Sequence, residues 1–343
     1  VRGLSLPAPF QRYRQELDEA LRSFLAPREP LLLYRMVRYH LGWEDAEGRP
    51  QSGGGGKGLR PVLCLLACEA VGGHWPSAVP AAVAVELVHN FSLVHDDIQD
   101  QDRERRHRPT VWAIWGQAQA INAGDALLAA AQLALAHLPE AGVPHERAVA
   151  AAQALAAATL EMVEGQVMDL QFEGREAVSL DEYLEMVGRK TGALFDASLR
   201  LGALVGCDRP TVWEAMGRCG RLLGLAFQAR DDMLGVWGQE ERTGKPAADI
   251  RRRKKGLPVA YALARGGRAA ETVARAYASP AIGDAEVARV LQALEEAGAR
   301  DYCLALAREK KAEALSLLAG LDLAPGPRRE LEELADFLLE REF

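Results

Sequence analysis

The chain has 343 residues, with 41 basic against 48 acidic side chains and a formal net charge of −7. At 49% hydrophobic and 26% charged it can bury a sizeable core, which excludes intrinsic disorder, a collagenous repeat and a small disulfide scaffold. Mild acidity speaks against a nucleic-acid partner, which needs a basic surface, so any anion site must be a local pocket.

Apolar residues recur three and four apart through long Ala/Leu/Val/Glu/Arg segments, and alternating β-branched runs are almost missing, so the chain reads as all-α. The spacing predicts helices over 10–25, 31–41, 59–71, 77–100, 110–138, 145–172, 180–205 and 209–237, with shorter ones after Pro258. Glycines and prolines punctuate them at Gly53 to Gly56, Gly72-Gly73, Pro139 and Pro280. With no linker and no repeat period, residues 1–343 are expected to form one helical domain whose motif-bearing core covers about 50–260. The segment from Val1 to Phe10 has no apolar core of signal-peptide length, and the Ala/Leu-rich stretch 126–138 falls short of the ~20 residues of a membrane span, so none is expected. Five scattered cysteines, Cys64, Cys68, Cys207, Cys219 and Cys303, fit a reduced cytoplasm. Cys64 and Cys68 are read as packing residues, half a metal site being the alternative.

The segment Gly53-Gly54-Gly55-Gly56-Lys57-Gly58-Leu59-Arg60-Pro61 contains a G-x-G-x-x-G without a preceding strand, and Gly58 follows the lysine where a Walker loop needs Ser or Thr. Alone it is a solvated turn or a flexible anion clamp, with Lys57 and Arg60 able to converge on one phosphate-rich group.

Further on, Glu86-Leu87-Val88-His89-Asn90-Phe91-Ser92-Leu93-Val94-His95-Asp96-Asp97-Ile98-Gln99-Asp100 is followed by Arg105-Arg106. Asp96 and Asp100 stack on one helix face and repel each other unless a cation lies between them. A solvated helix end paired with Arg103, Arg105 and Arg106 is the plainer alternative. Because the acids close an apolar run, they are placed at the mouth of a greasy surface, and oxygen-only ligands imply Mg²⁺. A second acid pair, Asp231-Asp232, closes another apolar run from Gly224. With Lys57, Arg60, Arg105, Arg106, Lys190, Lys245 and Lys254, the two clusters describe a cavity whose rim binds metal and polyanion and whose interior is hydrocarbon-like. The matching ligand is a diphosphate on an apolar tail.

These motifs resemble the trans-isoprenyl diphosphate synthases, the polyprenyl synthetase family that includes farnesyl and geranylgeranyl diphosphate synthases. The matching residues are Gly56 to Pro61, Leu93 to Asp100 with Arg105-Arg106, Lys190-Thr191-Gly192, Phe227-Gln228 with Asp231-Asp232, and Gly244-Lys245-Pro246 with Lys254-Lys255-Gly256-Leu257-Pro258. The resemblance implies a single bundle of long helices around a central apolar cavity. It further implies a Mg²⁺-dependent, head-to-tail condensation of isopentenyl diphosphate with an allylic diphosphate, with three ions per active site.

By the same resemblance, Asp96, Asp100 and Asp231 would hold the metal, and Asp97 and Asp232 would support them. Arg105, Lys190, Thr191, Gln228, Lys245 and Lys254 would hold the allylic diphosphate; counting forward from Gln228 favours Lys255 over Lys254. Lys57, Arg60, His89 and Arg106 would hold isopentenyl diphosphate, although a lone His89 on an apolar helix is ordinarily a core histidine. Phe91, five residues before Asp96, and Ser92, one turn below it, would set chain length, with geranylgeranyl diphosphate favoured and farnesyl diphosphate next. A homodimer is expected. His107, where glycine commonly follows the arginines, and Gly235, in place of the last acid of the second motif, depart from the pattern. A terpene cyclase or lyase on the same scaffold and a noncatalytic subunit of a heteromeric synthase are the alternatives.

Overall fold

Val79–Gln99 is apolar almost all round, carries Pro80 in its first turn, and buries residues on every face from Val79 to Asp97. A helix with no polar face belongs in the middle of a core, and the computed structural model puts it there. The structure describes residues 7–25, 31–51, 58–175, 177–238, 247–279 and 281–340. The described helices are α1 (Ala8–Phe24), α2 (Leu32–His40), α3 (Leu59–Ala70), α4 (Val79–Gln99), α5 (Val111–Trp115), α6 (Gln117–Ala136), α7 (His145–Glu173), α8 (Leu180–Val187), α9 (Ala193–Gly206) and α10 (Pro210–Trp237). Beyond them follow α11 (Ala248–Arg251), α12 (Leu257–Arg265), α13 (Gly267–Tyr277), α14 (Asp284–Glu296), α15 (Ala299–Ala319) and α16 (Pro325–Glu340).

Around α4 pack α3, α6 and α9, and α10 lies against α9 and α15. One large apolar cluster joins α1, α3, α4, α6, α7, α9, α10 and α16, and a smaller one ties α7, α8, α10, α12 and α15 together. The segment Trp75–Gln99 is long and apolar enough to cross a membrane, with mean hydropathy 1.4 over its most apolar window, yet 72% of that window is buried inside the fold. It is the core helix, and a longer apolar segment than the 126–138 stretch singled out above.

Two predicted helices are interrupted. The 110–138 helix breaks at Gly116, whose φ of 85° lies in a region open to glycine and costly for other residues. The 180–205 helix starts on a capping box, Glu182 N donating to Ser179 Oγ and Ser179 N to the Glu182 carboxylate. It then widens into a π-turn at Gly188–Gly192 before resuming as α9. Hydrophobic periodicity carries no signal for a π-turn, which inserts a residue without changing composition. The strands among the described residues are β1 (Glu104–Arg105) and β2 (Arg108–Pro109), an antiparallel hairpin. Its turn residues Arg106 and His107 have φ of 52° and 60°, the left-handed pair of a type I′ turn. A glycine fits such a position without strain; His107 holds it at a cost of roughly 1–2 kcal/mol.

Candidate active site

The cavity between α4, α6, α7, the π-turn and α10 has a volume of about 740 Å³ and is reached by side chains from every motif described above. Asp96 lines it from the last turns of α4, Asp231 from α10, and Asp100 stands on the exposed rim just past the end of α4. Burial pushes the Asp96 carboxyl above its ordinary range; Lys190 pulls it back and Asp100 pushes it further up. The Lys190 ammonium is already committed, since its Nζ lies 2.6 Å from Asp169 Oδ2. Carboxylates are the ligand type a hard divalent cation prefers, although among the described residues no three acids, histidines or cysteines are gathered closely enough to hold an ion as they stand.

Lys190 and Thr191 occupy the π-turn, so the extra residue that broke the predicted helix is the one that turns them into the cavity. Gly165 of α7 makes the approach possible: a Cβ there would stand 2.3 Å from the Lys190 backbone nitrogen. The Thr191 hydroxyl donates to Gln228 Oε1 at 2.9 Å, and Gln228 Nε2 donates to Asp232 Oδ1 at 2.8 Å. Asp232 is buried and also accepts from the Tyr183 hydroxyl and from Leu257 N, so it fastens α8 and α12 to α10. Its neighbour in the motif stays at the opening. Asp97 plays the matching part on α4: it is buried, accepts from Arg105 Nε at 2.7 Å, and is pushed up to about 6 by burial while Arg105 pulls it down.

Two turns before Asp96 on α4, His89 Nε2 stands 3.2 Å from Nη1 of Arg60, which sits in the first turn of α3 with its guanidinium 4.9 Å from the Phe195 ring centre. Burial, with Arg60, Arg106 and Arg105 close by, holds His89 well below the usual imidazole range, so it is neutral. Arg106 lines the same cavity from the hairpin turn. Lys57, Lys245 and Gly53 to Gly56 lie outside the described residues. Lys254 lines the cavity, whereas Lys255 Nζ donates to Phe172 O and Glu173 O at 2.6 and 3.1 Å and points away.

Four residues were not singled out by the sequence. Glu86, buried inside α4, bonds to Asn90 Nδ2 and lies in the field of Arg60 and Arg106; burial pushes its carboxyl up. A charge in an otherwise Val/Ala run, one turn before His89, was the available signal. Gln166 donates to Gln99 Oε1 at 2.8 Å beside Asp96, and Asp169 holds Lys190. The fourth is Asp249. A Cβ on Gly235 would stand 2.1 Å from Asp249 Oδ2, so the carboxylate arriving from α11 fills the space that a motif side chain at 235 would claim, facing Asp231, Asp232 and Lys254. Gly235→Asp is therefore expected to lower stability by about 1–3 kcal/mol through overpacking and like-charge contact. Unchanged thermal unfolding would show that Asp249 gives way freely.

The cavity is also lined by the apolar side chains of Phe91, Leu128, Met162, Leu194 and Phe227. Ser92 donates its hydroxyl to His89 O at 2.8 Å, within its own helix. The chamber is thus lined by charged and hydrocarbon side chains together.

Comparison with known proteins gives one family: the polyprenyl synthetase profile matches residues 51–295. The chain is 45% identical over 314 residues to the (2E,6E)-farnesyl diphosphate synthase of Mycobacterium tuberculosis, covering 90% of this chain and 86% of that protein. It is 39% identical over 338 residues to the geranylgeranyl diphosphate synthase of the same organism, covering 98% and 94%. Among solved structures, the polyprenyl synthetase of Streptomyces coelicolor A3(2) is similar with TM-score 0.91 and 40% identity over 97% of this chain and 99% of that one. The geranylgeranyl pyrophosphate synthetase of Pyrococcus horikoshii is similar with TM-score 0.87 and 36% identity, covering 97% and 98%.

Proposed function

The chain belongs to the polyprenyl synthetase family, and from that premise we propose that it joins isopentenyl diphosphate head-to-tail to an allylic diphosphate, releasing diphosphate and a short-chain trans-prenyl diphosphate. The observation that carries this reading is two polar groups lining one cavity with apolar side chains: Lys190, Lys254 and Arg105 with the acids, and Arg60 and Arg106 with the neutral His89. Two polyanions and two hydrocarbon tails fit that arrangement. A cyclase or lyase needs one diphosphate site, so the intact second cluster disfavours it, and the acids Asp96, Asp100 and Asp231 disfavour a noncatalytic subunit.

Asp96, Asp100 and Asp231 would hold Mg²⁺, three ions with substrate bound, and the metal supplies electrostatic pull on the leaving diphosphate. Lys190, Lys254, Arg105 and the Thr191–Gln228 pair hold the allylic diphosphate so that its C–O bond points into the chamber. The apolar walls exclude water from the allylic cation. Arg60, His89 and Arg106 fix isopentenyl diphosphate with its terminal alkene carbon against that cation. A carbon–carbon bond forms, and the proton lost from the isopentenyl unit passes to the departed diphosphate.

For the product, the reading favours geranylgeranyl diphosphate, with small Ser92 leaving a passage below the acids. Farnesyl diphosphate is the second reading, favoured by the mycobacterial farnesyl synthases at 45% identity. Incubating the protein with Mg²⁺, isopentenyl diphosphate and allylic primers of several lengths, then sizing the products, tests both; no elongation of any primer would overturn the function.

The same reading places the enzyme in the cytoplasm, with its five cysteines free, as a homodimer. Val149, Leu160, Val163 and Val167 on α7 and Ile121 and Leu133 on α6 are all more than 40% exposed. An apolar stripe of this length on two adjacent helices suits a second copy. Light scattering at micromolar concentration is expected to give twice the 37.2 kDa chain mass, and a monomeric mass would count against the dimer.

A further inference from the structure

We infer that His95 is a positioning residue for product length: seated in a notch left by Gly124, it braces Phe91 and so fixes how far that ring closes the chamber. The inference rests on the chain-elongating reading above.

Phe91 and His95 lie one turn apart on α4, and their rings meet edge to face at 4.9 Å and 69°. Both line the cavity, and Phe91 is only 7% exposed. Behind His95 the backbone of α6 comes unusually close. A Cβ on Gly124 would stand 2.3 Å from His95 Nε2 and 2.4 Å from its Cδ2, so the imidazole occupies space that any side chain at 124 would take. The ring's polar edge is held there, with Nε2 3.3 Å from Ile121 O and 3.7 Å from Asp125 Oδ1. His95 is thus a spacer between α6 and Phe91.

Interiors this closely packed transmit a displaced ring to its neighbour. Without the imidazole, Phe91 has room to fall back toward α6, and the chamber deepens. If the notch is filled, the imidazole must move toward Phe91 and the chamber shortens. Gly124 sits within a regular helix, so alanine suits its backbone and changes only the notch.

The test compares product-length distributions of the wild-type chain and four variants, with Mg²⁺, isopentenyl diphosphate and one allylic primer. His95→Ala and Phe91→Ala are each expected to lengthen the main product by at least one isoprene unit, and Gly124→Ala to shift it shorter. His95→Phe, which keeps the ring and loses both nitrogens, is expected to restore the wild-type distribution, which separates packing from hydrogen bonding. Distribution is read independently of rate, so a loss of turnover from the neighbouring Asp96 does not mimic the effect. Should His95→Ala fail to fold by circular dichroism, Gly124→Ala carries the test. Unchanged distributions in His95→Ala and Gly124→Ala, from an enzyme whose wild type elongates the primer, would overturn the brace. A wild type that elongates no primer would instead overturn the parent reading.

Discussion

Asp96→Ala and Asp231→Ala are each expected to lower kcat by roughly a hundred- to a thousandfold or more, the usual scale for removing one preorganised group that stabilises transition-state charge. Both side chains open onto the cavity, and neither is among the buried residues that carry the core, so circular dichroism and thermal unfolding should change little. Asp232→Ala makes the contrast. That carboxylate accepts from Tyr183, Gln228 and Leu257, and its loss strands three donors, two of them in buried residues. Each stranded buried donor costs about 1–3 kcal/mol, so Asp232→Ala should lower Tm as well as turnover. Near-normal rates for Asp96→Ala or Asp231→Ala at saturating Mg²⁺ would remove the basis for placing the metal there.

The adjacent aspartates of each motif illustrate what a sequence can tell and where it stops. Helical spacing puts Asp96 and Asp100 on one face and turns Asp97 away, because neighbours on a helix point about 100° apart. That much follows from the order of residues, and the structure shows Asp97 buried beside Arg105. The helical core was legible for the same reason, since α4 carries its apolar pattern through twenty-one residues. Contacts that cross loops were not. The choice between Lys254 and Lys255 depends on the turn after α11, where Arg253 takes φ of 57°; beyond it Lys254 lines the cavity while Lys255 bonds to the carbonyls of Phe172 and Glu173. Asp249 fills the gap left by Gly235 across a stretch whose course periodicity cannot give. Asp169 looks like any solvated acid on a helix until the π-turn brings Lys190 to it.

Arg60→Ala and Arg106→Ala are expected to raise KM for isopentenyl diphosphate by roughly ten- to a hundredfold, the equivalent of about 1.5–3 kcal/mol for a charge-assisted hydrogen bond, with a much smaller change for the allylic substrate. His89→Ala should act in the same direction and more weakly. Its imidazole is held neutral by burial and the nearby arginines, so in the free enzyme it accepts from Arg60 and carries no charge of its own. Its Nε2 orients the guanidinium, and removing it leaves that cation in place and less well aimed. The buried Glu86–Asn90 pair behind the two arginines gives a control. Glu86→Gln keeps the hydrogen-bonding shape while removing a negative charge that offsets Arg60 and Arg106. With that charge gone, the pocket is more positive and should bind the diphosphate at least as tightly, at the expense of stability before substrate arrives. Equal effects of Arg60→Ala and Arg106→Ala on both substrates would show that the two cation clusters do not divide the diphosphates between them.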